Sequence, residues 1–195
     1  VVHEENTTFK DMALMEVTRG CIWACRFCTA GFIYRPPRLP DLNKTYDSMT
    51  QILESQGKPA QTIGLVGPSV TDHPQLPALA KRITEEGKTL SFSSLRKETL
   101  TDELVELILK SGQKTLTVAV DGPSERMRDV INKAATDDFI VDKCGVLTRK
   151  GILHLKIYSI IGLPHETDDD IDQFIQLVER IQKVYVDECR NHGRI

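Results

Sequence analysis

The sequence has no apolar run approaching the ~18–20 residues of a membrane span, and its first ten residues, VVHEENTTFK, carry neither a basic leader nor an apolar signal core. Those absences predict a cytoplasmic chain with no membrane partner. No Gly/Ser-rich linker, internal repeat or low-complexity segment divides the 195 residues, so 1–195 reads as one domain. Excess positive charge is missing too: 25 Lys and Arg face 28 Asp and Glu, a formal charge of -3. Phosphate-backbone binding needs a basic footprint, so this chain alone is expected to hold nucleic acid poorly. With 40% hydrophobic and 27% charged residues, a disordered or collagen-like chain is excluded. A secreted disulfide framework fits badly as well, because the five cysteines are odd in number and three crowd together at Cys21, Cys25 and Cys28. A metal or cluster site in a reducing compartment fits better.

What is present alternates. ALMEVT at 13–18 reads as a strand broken by Arg19 and Gly20, and the cysteine loop follows directly. The basic, proline-containing stretch from Arg35 to Pro40 cannot be a helix interior, whereas Tyr46, Met49, Ile52 and Leu53 share one helical face that ends before Gly57. TIGLVG at 62–67, TLSFSS at 89–94, TLTVAV at 115–120 and LHLKIYSIIG at 153–162 are further strands. Between them helices are expected near 75–86, over 101–110 with Thr101 as cap, and through 124–150 with a break near Ala135. Asp168, Asp169 and Asp170 suit the positive end of a last helix running to about Cys189. Strands buried on both faces and separated by helices specify an α/β fold with a parallel sheet and right-handed crossovers. Five such units predict a partial or complete parallel (β/α) barrel, with chemistry at the carboxyl ends of the strands.

GCIWACRFC places CxxxCxxC at the exit of the first strand. Thiolates are the soft ligands favoured by iron-sulfur clusters and zinc, and three of them leave the fourth iron of a four-iron cluster open for chemistry. A structural zinc site is the alternative, with His3, His73 or His165 as fourth ligand. The isolated Cys144 and Cys189 read as small buried hydrophobes. With Phe27 just before the last cysteine, the motif resembles that of the radical S-adenosylmethionine (SAM) enzymes. The resemblance implies that Cys21, Cys25 and Cys28 hold three irons of a 4Fe-4S cluster. The amino and carboxylate groups of SAM would chelate the fourth, with an electron donor such as a flavodoxin or ferredoxin as partner. Trp23 and Phe27 are read as shielding the cluster, or as ordinary loop packing.

The resemblance extends over most of the chain. GPSERMRDVINK after the fourth strand and KIYSIIGLPHET in the fifth are similar to a subgroup usually associated with a cobalamin-binding domain upstream. That domain's DxHxxG signature does not occur here, so cobalamin would require a domain this chain lacks. Asp121 stands where the subgroup more often has glutamate, and at a strand end it is a candidate for ribose hydroxyls, or else a helix cap. A guanidinium at Arg128, in preference to Arg126, is a candidate clamp for the methionine carboxylate; the alternative for either is a structural or solvated helix arginine. Adenine is expected against Ile160, Ile161 and Gly162. Glu166 follows at the helix entrance; the alternative for this stretch is a plain strand-to-helix turn in which Glu166 favours the dipole. The broader superfamily carries a glycine-glycine-glutamate motif after the second strand. Here Gly67, Pro68 and Ser69 replace it and offer backbone carbonyls to an ammonium.

Ser93, with Ser94 and Arg96, points from the third strand toward the same mouth, though turn residues read equally well. His73 and His165, each next to a proline, are taken as exposed, and Arg26, Arg35 and Arg38 as a solvated basic loop; no catalytic side chain is assigned. A complete barrel of this family is expected to have six strands, so the domain is read as truncated before or within the sixth, which Gly193 to Ile195 would begin. The function expected is a radical SAM core that cleaves SAM reductively to a 5′-deoxyadenosyl radical, which abstracts hydrogen from a substrate the sequence does not identify. The alternatives are a methylthiotransferase-like core acting on RNA, and a non-catalytic metal-binding scaffold.

Overall fold

Residues 12–92 and 95–194 are described by a computed structural model. They belong to two units, one formed by Val1–Ile22 with Ala30–Gln113, the other by Trp23–Thr29 with Lys114–Ile195.

In the first unit, strands β1 (Met12–Glu16), β2 (Thr62–Val66) and β3 (Thr89–Phe92) form a parallel sheet in that order. β2 is central, so its continuous apolar run is buried through Ile63, Gly64 and Leu65. Gly64 lies opposite Leu14, and a Cβ there would meet Leu14 Cδ2 at 2.6 Å. The glycine therefore gives Leu14 its place. A single helical turn, α1 (Ala30–Ile33), follows the cysteine loop. Helix α2 (Leu42–Ser55) starts where Asp41 accepts from the Asn43 and Lys44 amides at 3.1 and 3.2 Å. It buries Leu42, Tyr46, Met49 and Leu53, whereas Ile52, which the sequence periodicity places on the same face, is exposed. Helix α3 (Leu76–Glu85) packs on α4 (Asp102–Lys110), whose cap Thr101 accepts from Leu104 N at 3.3 Å. Each fully buried Leu or Ile stabilises the unit by about 1.5–3 kcal/mol before the entropic cost of ordering it.

The second unit pairs β4 (Thr115–Asp121) with β5 (His154–Ser159), again parallel. Helices α5 (Glu125–Val130) and α6 (Asp137–Lys150) lie between them in sequence, separated by the expected break, and α7 (Asp168–Asn191) follows. α6 packs on α7. Cys144 and Cys189 are buried on these two helices, 0% and 1% exposed, as small apolar groups would be. Gly145 sets the separation, since a Cβ would meet Val184 Cγ1 at 2.8 Å.

All five strands, and the parallel pairing within each unit, agree with the sequence. Burial of β5 does not. Its residues alternate between exposed and half-buried, because among the described residues it pairs only with β4. Gly193 and Arg194 close α7: Gly193 is left-handed at φ 62°, and the Arg194 amide donates to the Cys189 carbonyl at 2.9 Å. Ile195 lies outside the described residues. Among them, no helix is long and apolar enough to cross a membrane.

Candidate functional site

The loop that carries the cysteines begins at Gly20, with φ 84°. A Cβ at that position would stand 1.9 Å from the Tyr34 carbonyl oxygen, so only glycine lets the chain turn there. Arg19 and Arg38 exchange backbone hydrogen bonds at 3.0 and 2.7 Å, and Arg35 Nη2 donates to the Ile22 carbonyl at 3.0 Å. The basic stretch that the sequence presents as solvated therefore grips the loop's entrance. Cys21 is buried in this first unit.

Cys25 and Cys28 belong to the second unit, where the Cys28 amide donates to the Cys25 carbonyl at 3.0 Å in a tight turn. Cys25 is buried and Cys28 half-buried; neither they nor Cys21 is in a disulfide. Phe27 is 42% exposed. Among the described residues, no three His, Cys, Asp or Glu side chains stand close enough together to hold a metal ion. The donor set nevertheless fits a cluster: three thiols on one short loop, all free of disulfides, with a fourth position left open. His3 lies outside the described residues. His73 does not serve as a fourth ligand, since its Nε2 lies 2.9 Å from the Pro40 carbonyl and its Nδ1 accepts from Gln75 N at 3.1 Å. It is buried rather than exposed, and that burial pushes its pKa down.

At the carboxyl ends of β1 and β2 a cavity of ≈550 Å³ opens, lined by Glu16, Thr18, Arg19, Tyr34, Gly67 and Pro68 among others. Gly67 is needed where it stands: a Cβ there would lie 2.5 Å from Thr18 Oγ1 and 2.9 Å from the Thr18 carbonyl oxygen. Glu16 is held below the usual carboxylate range, first by its hydrogen bonds from Arg19 at 2.8 and 2.6 Å. Ser69 is buried beneath this wall, its amide donating to Thr18 Oγ1 at 3.4 Å. Ser93 and Ser94 lie outside the described residues. Arg96 pairs with Glu98 at 3.4 Å.

In the second unit Asp121 ends β4 in a left-handed conformation, φ 68°, with its carboxylate buried and ion-paired to Lys133. It is not a helix cap. That place belongs to Ser124, whose Oγ accepts from Met127 N at 3.1 Å. Ile160 N donates to the Asp121 carbonyl at 2.8 Å, Ile161 is 64% exposed, and Gly162 adopts φ 85°. Glu166 accepts from Gly162 N at 2.8 Å and Leu163 N at 3.4 Å. It closes the loop rather than capping α7.

Arg128 requires a correction. Its side chain is 0% exposed; Nε donates to the Ala135 carbonyl at 2.7 Å, Nη1 to the Gly122 carbonyl at 3.2 Å, and Nη2 pairs with Asp137. A guanidinium so occupied is an interior brace, not a carboxylate clamp. Arg126 is no substitute, because it is bound to Asp170 and donates to the His165 carbonyl at 2.9 Å. The sequence also leaves out Arg26 and Asn132, which meet across more than a hundred positions: Asn132 Nδ2 donates to the Ala24 carbonyl at 2.9 Å and Arg26 to the carbonyls that end α5. The only signal for Asn132 is the GPSERMRDVINK run, while Arg26 shows in the sequence only as part of a basic loop read as solvated.

Comparison with known proteins agrees with this geometry. The uncharacterized protein MJ0966 of Methanocaldococcus jannaschii is 37% identical over 172 residues, 87% of this chain and 37% of that protein. The ribosomal protein uS12 methylthiotransferase RimO of Clostridium novyi is 24% identical over 186 residues, 90% of this chain and 42% of its own. The chain thus spans about two fifths of the length of these curated relatives. Among solved structures, the radical SAM methyltransferase TsrM of Kitasatospora setae, with cobalamin and a 4Fe-4S cluster bound, superposes at a TM-score of 0.65. The match has 15% identity and covers 86% of this chain and 35% of that one. It shows a shared fold. The profile of the Radical SAM superfamily matches residues 15–178, from the end of β1 to well inside α7, and the chain belongs to that superfamily.

Proposed function

We propose that this chain is the core of a radical SAM enzyme, with Cys21, Cys25 and Cys28 as the protein ligands of a 4Fe-4S cluster. When bound, the cluster and SAM supply a reductive carbon-sulfur cleavage that yields methionine and a 5′-deoxyadenosyl radical able to abstract hydrogen from a substrate. The observation that carries this reading is the free three-thiol loop that follows β1 in the sequence; the first unit, by itself, opens a ≈550 Å³ cavity at the β1 and β2 strand ends. In that unit Gly67 and Pro68 line the cavity, and their backbone carbonyls are the candidates for an ammonium. In the second unit the Asp121 carboxylate is the candidate for ribose hydroxyls, held in orientation by Lys133, and Ile160, Ile161 and Gly162 are the candidates for adenine. The electron would come from a small donor such as a flavodoxin or ferredoxin.

The test is product analysis. Anaerobically reconstituted protein given SAM and dithionite is expected to release 5′-deoxyadenosine and methionine in equal amounts. A chain that holds the full cluster and releases neither would sink the enzymatic reading.

A further inference from the structure

Cys25 and Cys28 sit on a stretch gripped from outside by one turn of the second unit. The Arg26 amide donates to the Ile131 carbonyl at 2.9 Å, and Arg26 Nη1 donates to the Val130 carbonyl and, at 3.5 Å, to that of Asp129. Asn132 Nδ2 returns a bond to the Ala24 carbonyl at 2.9 Å. The carbonyls of Asp129 to Ile131 close α5, where a helix leaves acceptors without intrahelical donors and favours a cation. Asn132 is left-handed at φ 57°, a conformation asparagine tolerates better than most residues.

The same turn reaches elsewhere. Lys133 N donates to the Arg128 carbonyl at 2.8 Å, while Lys133 Nζ pairs with Asp121 at the end of β4. Arg128 braces it from inside through Gly122, Ala135 and Asp137. Gly122 admits that brace closely, since a Cβ there would lie 2.8 Å from Arg128 N and 3.0 Å from its Cγ. One turn, 129–133, therefore touches both the segment that bears two cysteines and the buried strand-end carboxylate.

We infer that this turn is a latch, with Arg26 and Asn132 as positioning residues that fix where the Cys25 and Cys28 thiolates stand and hold that loop in one frame with Asp121. The inference rests on the cysteines being cluster ligands. It assigns the VINK end of the run a purpose, and it adds no group that touches substrate.

Arg26 and Asn132 are both exposed, so their variants are expected to fold, with circular dichroism as the check. Asn132→Gly removes the carboxamide without straining the left-handed backbone, and Arg26→Ala is compared with Arg26→Lys, which retains a cation and one donor. In cluster-free protein, hydrogen exchange reads the Arg26 amide. In reconstituted protein, iron release to EDTA and the electron paramagnetic resonance spectrum of the reduced cluster read the ligand geometry. Loss of one latch bond is expected to speed amide exchange and iron release roughly two- to tenfold and to alter the spectrum, with Arg26→Lys recovering part of each. Merely structural packing would leave the spectrum of folded variants unchanged. Wild-type protein that holds its cluster while Asn132→Gly and Arg26→Ala match it in iron release and spectrum would overturn the latch alone. Wild-type protein that takes up no iron would overturn the reading of the cysteines and the latch with it.

Discussion

Arg128 shows what a single side chain costs when it is built into an interior. Its three contacts satisfy two carbonyls and a carboxylate, and no water reaches the guanidinium. Truncation would strand both carbonyls and remove the nearer of Asp137's two cations, leaving Arg180 at 4.0 Å, and breaking a buried pair costs about 3–5 kcal/mol. That is a large part of the ~5–15 kcal/mol by which a domain is stable. Arg128→Ala is therefore expected to lower the unfolding free energy in denaturant titration by about 3 kcal/mol or more, while the folded fraction binds SAM as wild type does. A variant of wild-type stability with weakened SAM affinity would restore the clamp. The sequence places two arginines after the fourth strand but does not say which one turns inward. That choice depends on acceptors at Gly122, Ala135 and Asp137, which only the folded turn gathers around Arg128. For Arg26 and Asn132 the difficulty is greater, because their partners are more than a hundred residues away.

At the scale of elements, α7 begins on a carboxylate held unusually acidic. Asp170 is 1% exposed; it accepts from Arg126, from Ser124 Oγ at 2.5 Å and from the Thr167 amide at 2.8 Å, and these bonds, Arg126's first, pull its pKa well below the usual carboxylate range. The folded chain thus releases this proton more readily than the unfolded chain. The stabilisation is fully present above the unfolded value of about 4 and is lost as pH falls from there toward the folded value. Asp170→Asn is expected to melt below wild type at pH 7, with the gap narrowing below about pH 4. A constant gap across that range would contradict the assignment. The three aspartates mark this helix start in the sequence, and glycines after the apolar runs mark the strands and helices before it. Burial of β5 is less legible, since an apolar run gives the strand but not how many neighbours cover it. α1 is a single turn and leaves no periodicity to read.

At the scale of the whole chain, the cluster chemistry we propose rests on one loop, whose first part is fixed by glycine at Gly20 and arginine at Arg35 and whose second part meets the turn at 129–133. CxxxCxxC was legible from spacing because all three thiols lie within eight residues of sequence, whereas the groups that steady them come from elsewhere in the chain. Iron and acid-labile sulfide, counted after anaerobic reconstitution of the wild type and of five single Cys→Ala variants, test the account most directly. About four irons and four sulfides per wild-type chain are expected, with loss of the cluster on changing Cys21, Cys25 or Cys28 and retention on changing Cys144 or Cys189. Zinc in place of iron, or equal loss from Cys144→Ala, would contradict it.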